Sequence, residues 1–595
     1  MKLYKYSLAL MLGITALTSC DDKLELINPN RQTSATFGYT DDNELEECVI
    51  AAYNHIRMEG TYSRVGYGFD MCRGDEVWNC SQGWYIESDD LTGISTGVDG
   101  ERLHWPWRDW FYTINVCNFI LQRTEGVTAE SEGVSDTRKQ ARGQALFLRG
   151  LSYYNLAGYY QNPPIVTDYG QYESVEKMAF PSSTYDAVFD QVEADLKEAM
   201  TLLPKRDEGG EWAKGRATCG AAAGYYARAL MQRHKYEEAL AVLKDILSTS
   251  DGGNQKYGSY KLMANYGDNF REGSAYENTA ESLFEVQFLD HGTQGADLEW
   301  TPVNATSNPT QGHAIESNCT PSKFGGWADL AASPWLYNLF KEEKTVNNTL
   351  DPRLYWTVGT YEDDWENFEY GNTAFGSAMS ATENIIVNEN NGGLPIAKNT
   401  NFRTGLYSSV VTGLYCGINM RLMRYSDILL RAAECENEVN GPTQQAIDWI
   451  NKVRSRAKLA NLQLSDFADA DALFEQIANV ERPKEFGCEF GRGFDLIRWG
   501  FFYTPDRLQQ LKEHGTFRRS ADPAKVKDAV NYSDIGKDSE LKSSYNAFIA
   551  GHEFLPIYQG LLDANANLRG NSANYNTNNA TYHTSKGWTI HPVKK

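Results

Sequence analysis

Between positions 70 and 85 the chain gathers Asp70, Arg73, Asp75, Glu76, Trp78, Asn79, Gln82, Trp84 and Tyr85. Flat rings beside amide, carboxylate and guanidinium groups suit a ligand with an apolar face and a hydrogen-bonding rim. The ring takes the face and the polar groups take the rim. A second such mixture is spread over the middle of the chain, with Trp300, Asn304, Asn308, Gln311, His313, Asn318, Trp327, Tyr355, Trp356 and Trp365. Gly325 and Gly326 precede Trp327 and permit a tight turn that would set its ring. Aromatic residues make up 12% of the chain, with 35 Tyr and 14 Trp, more Tyr and Trp than a core needs. Other residues of reactive type have structural readings. Arg492 and Asp495 in GRGFDLIRWG read as a buried ion pair or a helix cap. Asp41 and Asp42 read as a cap and dipole partner. Trp335 shares a helix stripe with Leu339, and Trp110, Trp449 and Trp499 read as scaffold.

These residues must be carried by something, and the periodicity says what. Apolar positions recur at helical spacing in about 42–58, 105–123, 137–160 and 183–203. Ser183 or Thr184 would cap the last of these, and Pro204 would stop it. In 217–233 small or apolar residues fall at Cys219, Ala222, Ala223, Tyr226, Ala227, Leu230 and Met231, steps of 3 and 1 throughout. His234-Lys235 breaks the pattern, and YEEALAVLKDIL resumes it. Small residues facing a second helix let two backbones approach closely, as in a tetratricopeptide-like hairpin. RLMRYSDILLRAAECENEV, Gly441-Pro442 and TQQAIDWINKVRSRA read as another hairpin over 421–457. With the earlier helices this makes four pairs, enough for a curved solenoid. Residues 59–103 and about 250–420 break the pattern, and the second is too long for a loop without structure of its own. The segment from 560 onward is Asn-rich and reads as irregular surface.

The N-terminus carries Lys2 and Lys5, an apolar run from Leu8 to Leu17, then Leu17-Thr18-Ser19-Cys20. This reads as a secretory signal ending in a lipobox, with Cys20 the lipidated residue. No second apolar span is long enough to cross a bilayer. The formal net charge of −23 argues against a nucleic-acid partner. Besides Cys20 there are nine cysteines, without CxxC or zinc-finger spacing. Cys72 and Cys80 are close enough to bridge, and Cys219 and Cys435 read as small core residues.

Seven segments in order resemble the SusD/RagB family of Bacteroidetes surface lipoproteins. They are ARGQALFLRGLSYYNLAGYYQNPPIV, YDAVFDQVEADLKEAMTLLP, GRATCGAAAGYYARALM, FGGWADLAASPWLYNLF with Asp351-Pro352-Arg353, RLMRYSDILLRAAECENE with INKVRSRA, ERPKEFGCEFGRGFDLIRWG, and HEFLPIYQGLLDANANL. Pro483, Gly487 and Asn565-Ala566-Asn567 depart from the family's usual pattern. The acidic cluster after Cys20 resembles a surface-export tag of such lipoproteins.

The resemblance implies a mainly α fold of four tetratricopeptide-like hairpins with a loop-rich ligand side. It implies residues 1–19 as signal peptide, 20–250 as an N-terminal region holding the first binding loop at 59–103, 251–420 as an irregular aromatic-rich insertion, and 421–595 as the C-terminal region. It implies glycan binding without catalysis, lipid anchoring at the outer-membrane surface, and a SusC-like TonB-dependent transporter that the lipoprotein caps as a lid. The ligand-binding residues expected on this basis are Trp78, Trp84, Tyr85, Asp70, Arg73, Trp300 and Trp327. A peptide-loading RagB-like lipoprotein is the rival reading. An all-helical glycosidase, needing two carboxylates about 5–9.5 Å apart, is another, although no GxSxG, HExxH or P-loop is present. No cofactor is implied. Asp/Asn-rich loops leave room for structural calcium, but no EF-hand spacing fixes a site.

Overall fold

The computed structural model describes residues 37–79, 101–169, 179–206, 214–250, 256–289, 312–320, 326–327, 329–359, 394–401, 416–519, 540–543, 551–568 and 579–594. Helices dominate. The scaffold uses α1 (Asp42–His55), α3 (His104–Arg123), α4 (Asp136–Tyr160), α5 (Tyr185–Leu202), α6 (Cys219–Gln232) and α7 (Tyr236–Ser250), with α2 (Arg64–Met71) set between the first two. After the central stretch come α8 (Ile315–Cys319), α9 (Pro334–Lys341), α10 (Pro352–Thr357), α11 (Tyr425–Asn440) and α12 (Gln444–Arg456).

Each scaffold helix packs on the next: α1 on α3, α3 on α4, and so on to α7, then α7 on α11 and α11 on α12. The pairs α1/α3, α4/α5, α6/α7 and α11/α12 are therefore four stacked hairpins, as the stripe pattern predicts. The 59–103 stretch interrupts the first pair. The central stretch separates the third from the fourth, yet α7 and α11 meet as if it were not there.

Local chemistry sets the helix ends. Asp41, Ser135, Thr184, Thr218 and Thr443 each accept a backbone N–H in the first turn of their helices, supplying a partner that the helix lacks. Asp42 is taken by Arg138 at 3.0 Å, so it also links α1 to α4. Small residues set the spacing. Ala222, Ala223 and Ala227 are fully buried, and a Cβ on Gly150 would meet Leu196 Cγ at 3.0 Å, so α4 and α5 touch closely there. Cys219 and Cys435 are core residues as expected. Cys80 lies outside the described residues, so the Cys72–Cys80 bridge is left as an expectation.

Two expectations are corrected. The RLMR segment is not the start of a helix. Met420–Arg424 is strand β4, paired antiparallel with β2 (Ser282–Val286), and α11 begins at Tyr425. Strand geometry lets Arg424 reach Glu281 at 2.7 Å, Glu485 at 2.8 Å and Glu489 at 2.8 Å. The C-terminal segment is not irregular throughout. It contains α17 (Gln559–Ala564) and α18 (Asn579–Ser585), the latter packed on the scaffold.

The C-terminal region adds α13 (Ala470–Gln476), a π-helical turn at Ile477–Glu481, α14 (Arg482–Phe486), α15 (Arg492–Arg498) and α16 (Pro505–His514). Pro483 lies one residue into α14, directly after the π turn, and Gly487 ends α14 with its N–H on Pro483 O. The departures noted in the sequence are thus a wider turn and a stop.

Buried charges join the parts. Glu281 and Glu485 each meet both Arg424 and Arg456, while Lys398 meets Glu489 at 3.1 Å. Arg492 and Asp495 are both buried, but each finds its ion-pair partners elsewhere. Arg492 binds Asp75 at 2.8 Å, and Asp495 binds Arg431, Arg482 and Arg498. Burying each charge costs several kcal/mol, so removing one partner of such a network is costly because it leaves the other buried and uncompensated.

Candidate functional site

The two irregular stretches meet in one small frame. Strand β1 (Val77–Asn79) comes from the first, and β3 (Leu330–Ala332) from the second. They pair antiparallel with Trp78 opposite Ala331. The Ser333 N–H extends the pairing to Glu76 O at 2.7 Å. Ala332 N–H then donates to Leu394 O at 2.8 Å, and Ala397 N–H to Thr357 O at 3.0 Å, adding two more chain segments. Beside this, His313 N–H donates to Cys416 O at 2.8 Å, and Trp327 N–H to Ser317 O on α8 at 2.6 Å.

Trp327 is held from within. The Arg64 guanidinium lies 5.3 Å from its ring centroid, a cation–π contact, and Arg64 Nε binds Glu59 at 2.8 Å. Arg64 is 1% exposed, whereas Trp327 is half-buried. The ring therefore has a charged backing inside and a part turned to solvent. Sequence reading did not single out Arg64. Glu59, five residues earlier, is the only local sign that a buried cation would be matched.

The other expected site residues fall in different places. Trp78 is 3% exposed and belongs to the core. Asp70 is buried: its Oδ1 accepts Gly491 N–H at 2.8 Å, and burial pushes its pKa up to about 6 despite that bond. Arg73 is buried, with its guanidinium on the Glu553 and Gly158 carbonyls. In this conformation Asp70, Arg73 and Trp78 hold the first stretch to the C-terminal region and to the core, and a ligand in solvent does not reach them. Trp84, Tyr85, Trp300 and the lipidation residue Cys20 lie outside the described residues, as do Asn304, Asn308, Gln311 and Trp365. His313, Asn318, Tyr355 and Trp356 are buried, the His313 ring donating from Nε2 to Ile418 O at 2.9 Å. Trp110, Trp449 and Trp499 are core residues.

Two buried carboxyls border the frame. Glu316 on α8 accepts Asn401 Nδ2 at 3.2 Å, and burial raises its pKa to about 8. Burial also raises Glu76 to about 8 against the pull of Arg492 and Lys398. Both are at most 3% exposed. Burial thus favours the uncharged form of both, although Arg492 lies 3.8 Å from Glu76. Among the described residues no group of three or more His, Cys, Asp or Glu is placed to hold a metal ion, and no helix is long and apolar enough to cross a membrane. What the frame offers is a half-buried aromatic ring with a buried guanidinium over it.

Comparisons bear on what such a ring serves. A model described as the SusD family matches residues 280–575, and one described as starch-binding, associating with outer membrane, matches 43–231. SusD-like protein P25 of Formosa agariphila is 23% identical over 535 residues, covering 83% of this chain and 89% of its own. The starch-binding protein SusD of Bacteroides thetaiotaomicron is 22% identical over 579 residues, covering 91% and 98%. Among solved structures, a SusD homolog from Bacteroides thetaiotaomicron superposes with a TM-score of 0.69 at 19% identity, covering 90% of this chain and 98% of that one. Surface glycan-binding protein A from the same organism, in complex with laminarihexaose, gives 0.61 at 19% identity, covering 88% and 97%. At these identities the structural likeness speaks for the fold.

Proposed function

The chain belongs to the SusD family, and on that premise we propose that it is a glycan-binding lipoprotein of the outer-membrane surface that captures oligosaccharide and passes it to a TonB-dependent transporter. The observation that carries the reading is Trp327, half-buried, with the buried Arg64 guanidinium over its ring and its N–H on Ser317 of α8. A sugar ring has one apolar C–H face and a polar edge, and a ring of this kind takes the face.

Capture needs no catalytic group. It needs a preformed surface, and the frame supplies one because its strands and ion pairs are fixed before ligand arrives. Trp84, Tyr85 and Trp300 are proposed as further ligand-binding residues on the strength of their residue types and sequence neighbourhood. A protein that must hand its ligand on binds it modestly, in the micromolar to millimolar range, roughly −8 to −4 kcal/mol. Lipidation at Cys20 would keep it at the membrane, and the acidic residues after it fit surface export. In the handover, the lipoprotein would serve as a lid over a SusC-like barrel.

The test is native affinity electrophoresis of the chain from Cys20 onward in gels containing a panel of polysaccharides. Retardation by one glycan, lost in Trp327→Ala, is the expected result. No retardation by any glycan, together with saturable binding of a peptide mixture, would favour a peptide cargo. Release of reducing ends from a retarding glycan would favour an enzyme.

A further inference from the structure

The last described stretch, 579–594, lies beyond the residues matched by the family model, and it crosses three of the four hairpins. On the second hairpin, Tyr582 Oη donates to Asp186 Oδ1 at 2.7 Å and Lys586 Nζ binds the other oxygen at 2.7 Å, both at the first turn of α5. On the third, Trp588 stacks flat on His234 in the α6–α7 turn, with centroids 4.1 Å apart and planes 7° apart. Ile590 covers Gly500, where an added Cβ would lie 2.8 Å from Ile590 Cγ1. On the fourth, His591 Nε2 is 2.8 Å from Glu438 of α11, and Nδ1 is 2.7 Å from Asp471 of α13.

His591 is the end point of this path and is buried, its ring stacked on Phe474 at 4.1 Å. Arg507 of α16 donates to its carbonyl at 2.8 Å and to that of Pro592 at 3.0 Å. A carboxylate only accepts, and a neutral imidazole has one N–H. Two carboxylates on the two ring nitrogens therefore call for imidazolium. The neighbouring charges are matched among themselves: Arg507 pairs with Glu475 at 2.7 Å, and Lys594 with Asp469 at 2.9 Å and Asp471 at 3.4 Å. Burial opposes the charge on His591, but Glu438 and Asp471 outweigh it and hold the pKa above the ordinary 6.5.

We propose that residues 579–594 form a strap that ties the second, third and fourth hairpins together, and that the proton on His591 fastens its end. When His591 loses that proton, Glu438 and Asp471 face one imidazole N–H between them and the end of the strap loosens. The sign follows from linkage. A histidine whose pKa is raised by folding contributes fully below pH 6.5, and its contribution is lost as pH rises through the folded value.

The experiment uses the chain from Cys20 onward in three forms: intact, ending at residue 578, and carrying His591→Gln. Melting curves are recorded at about pH 6 and about pH 9.5, on either side of a raised histidine pKa. The truncated form is expected to melt at least about 3 °C lower than the intact chain. His591→Gln is expected to melt lower than the intact chain at the acid pH and to match it at the alkaline pH. Exchange of the imidazole C2 hydrogen, read by mass spectrometry on the intact chain, is expected to place the His591 titration above 6.5. An unchanged melting temperature on truncation overturns the strap. A gap for His591→Gln that is equal at both pH values, or a titration at or below 6.5, overturns the proton fastening. The exchange measurement decides even if His591→Gln fails to fold.

Discussion

Trp335 lies parallel to His514, ring centroids 3.8 Å apart and planes 9° apart. The same His514 places Nδ1 2.7 Å from Asp75. The ring on α9 comes from the central insertion, the imidazole on α16 from the C-terminal region, and the carboxylate from the first irregular stretch. Three parts that are distant in sequence thus meet around one histidine. Asp75 is fully paired: burial opposes its charge, but Arg492 and His514 outweigh it and hold its pKa well below the usual carboxylate range.

Replacing Asp75 by Asn should leave Arg492 buried without its nearer counter-ion, Glu76 being 3.8 Å away. The expected loss is roughly 3–5 kcal/mol of unfolding free energy at neutral pH, read by chemical denaturation. In the unsubstituted protein the Asp75 contribution is present above pH 3.8 and lost as the pH falls from there through the folded pKa. The gap between the two forms should therefore close in acid. A gap that stayed constant to the acid limit would show that the pair does not act through charge.

Trp78 and Trp327 should separate stability from binding. Trp78 is 3% exposed, so Trp78→Ala is expected to cost about 3–5 kcal/mol of stability. Trp327→Ala should cost clearly less, since its ring is only partly covered, yet should remove most glycan retardation on affinity gels. If Trp327→Ala leaves retardation intact while the fold is unchanged, the binding site lies elsewhere.

Glu316 gives a pH signature beside the frame. Burial lifts its pKa from 4.5 to about 8. The folded protein then holds a proton that the unfolded chain releases, so stability falls as pH rises from about 4.5 to 8 and levels off above. Glu316→Gln removes this slope. The variant should gain stability relative to the unsubstituted protein between pH 5 and pH 8, followed by denaturant midpoints. A parallel profile for both proteins would refute a protonated Glu316.

Gly150 tests the close contact of α4 and α5. A valine there would press on Leu196 Cγ, 3.0 Å from the first added carbon, and on Asp195, which holds Arg149 at 2.7 Å. Gly150→Val is expected to destabilise by about 1–3 kcal/mol through overpacking, measured by urea denaturation. An unaltered midpoint would mean that the helices can part without cost.

The scaffold could be read from the sequence because helix pairing is local. The 3,1 steps through Cys219, Ala222, Ala223, Tyr226 and Ala227 mark one face, and Thr184 and Pro204 mark two ends, all within a few residues. The Met420–Arg424 segment misleads for the opposite reason. Its partner, Ser282–Val286, lies far back in the chain, and a short apolar run with arginines fits a helix as well as a strand. The frame was legible as composition but not as geometry. Asp70 and Arg73 sit among aromatics in the sequence, and only their partners, Gly491, Gly158 and Glu553, show that they face inward. Arg64 was passed over because its role depends on Trp327, a residue of the other irregular stretch.

The antiparallel pairing of β2 with β4 sets Glu285 opposite Arg421 and Val286 opposite Met420. The chain therefore enters and leaves the 287–419 excursion at adjacent backbone positions. The entropy cost of closing such an excursion grows only with the logarithm of its length, so added length between these two strands costs the hairpin stack little.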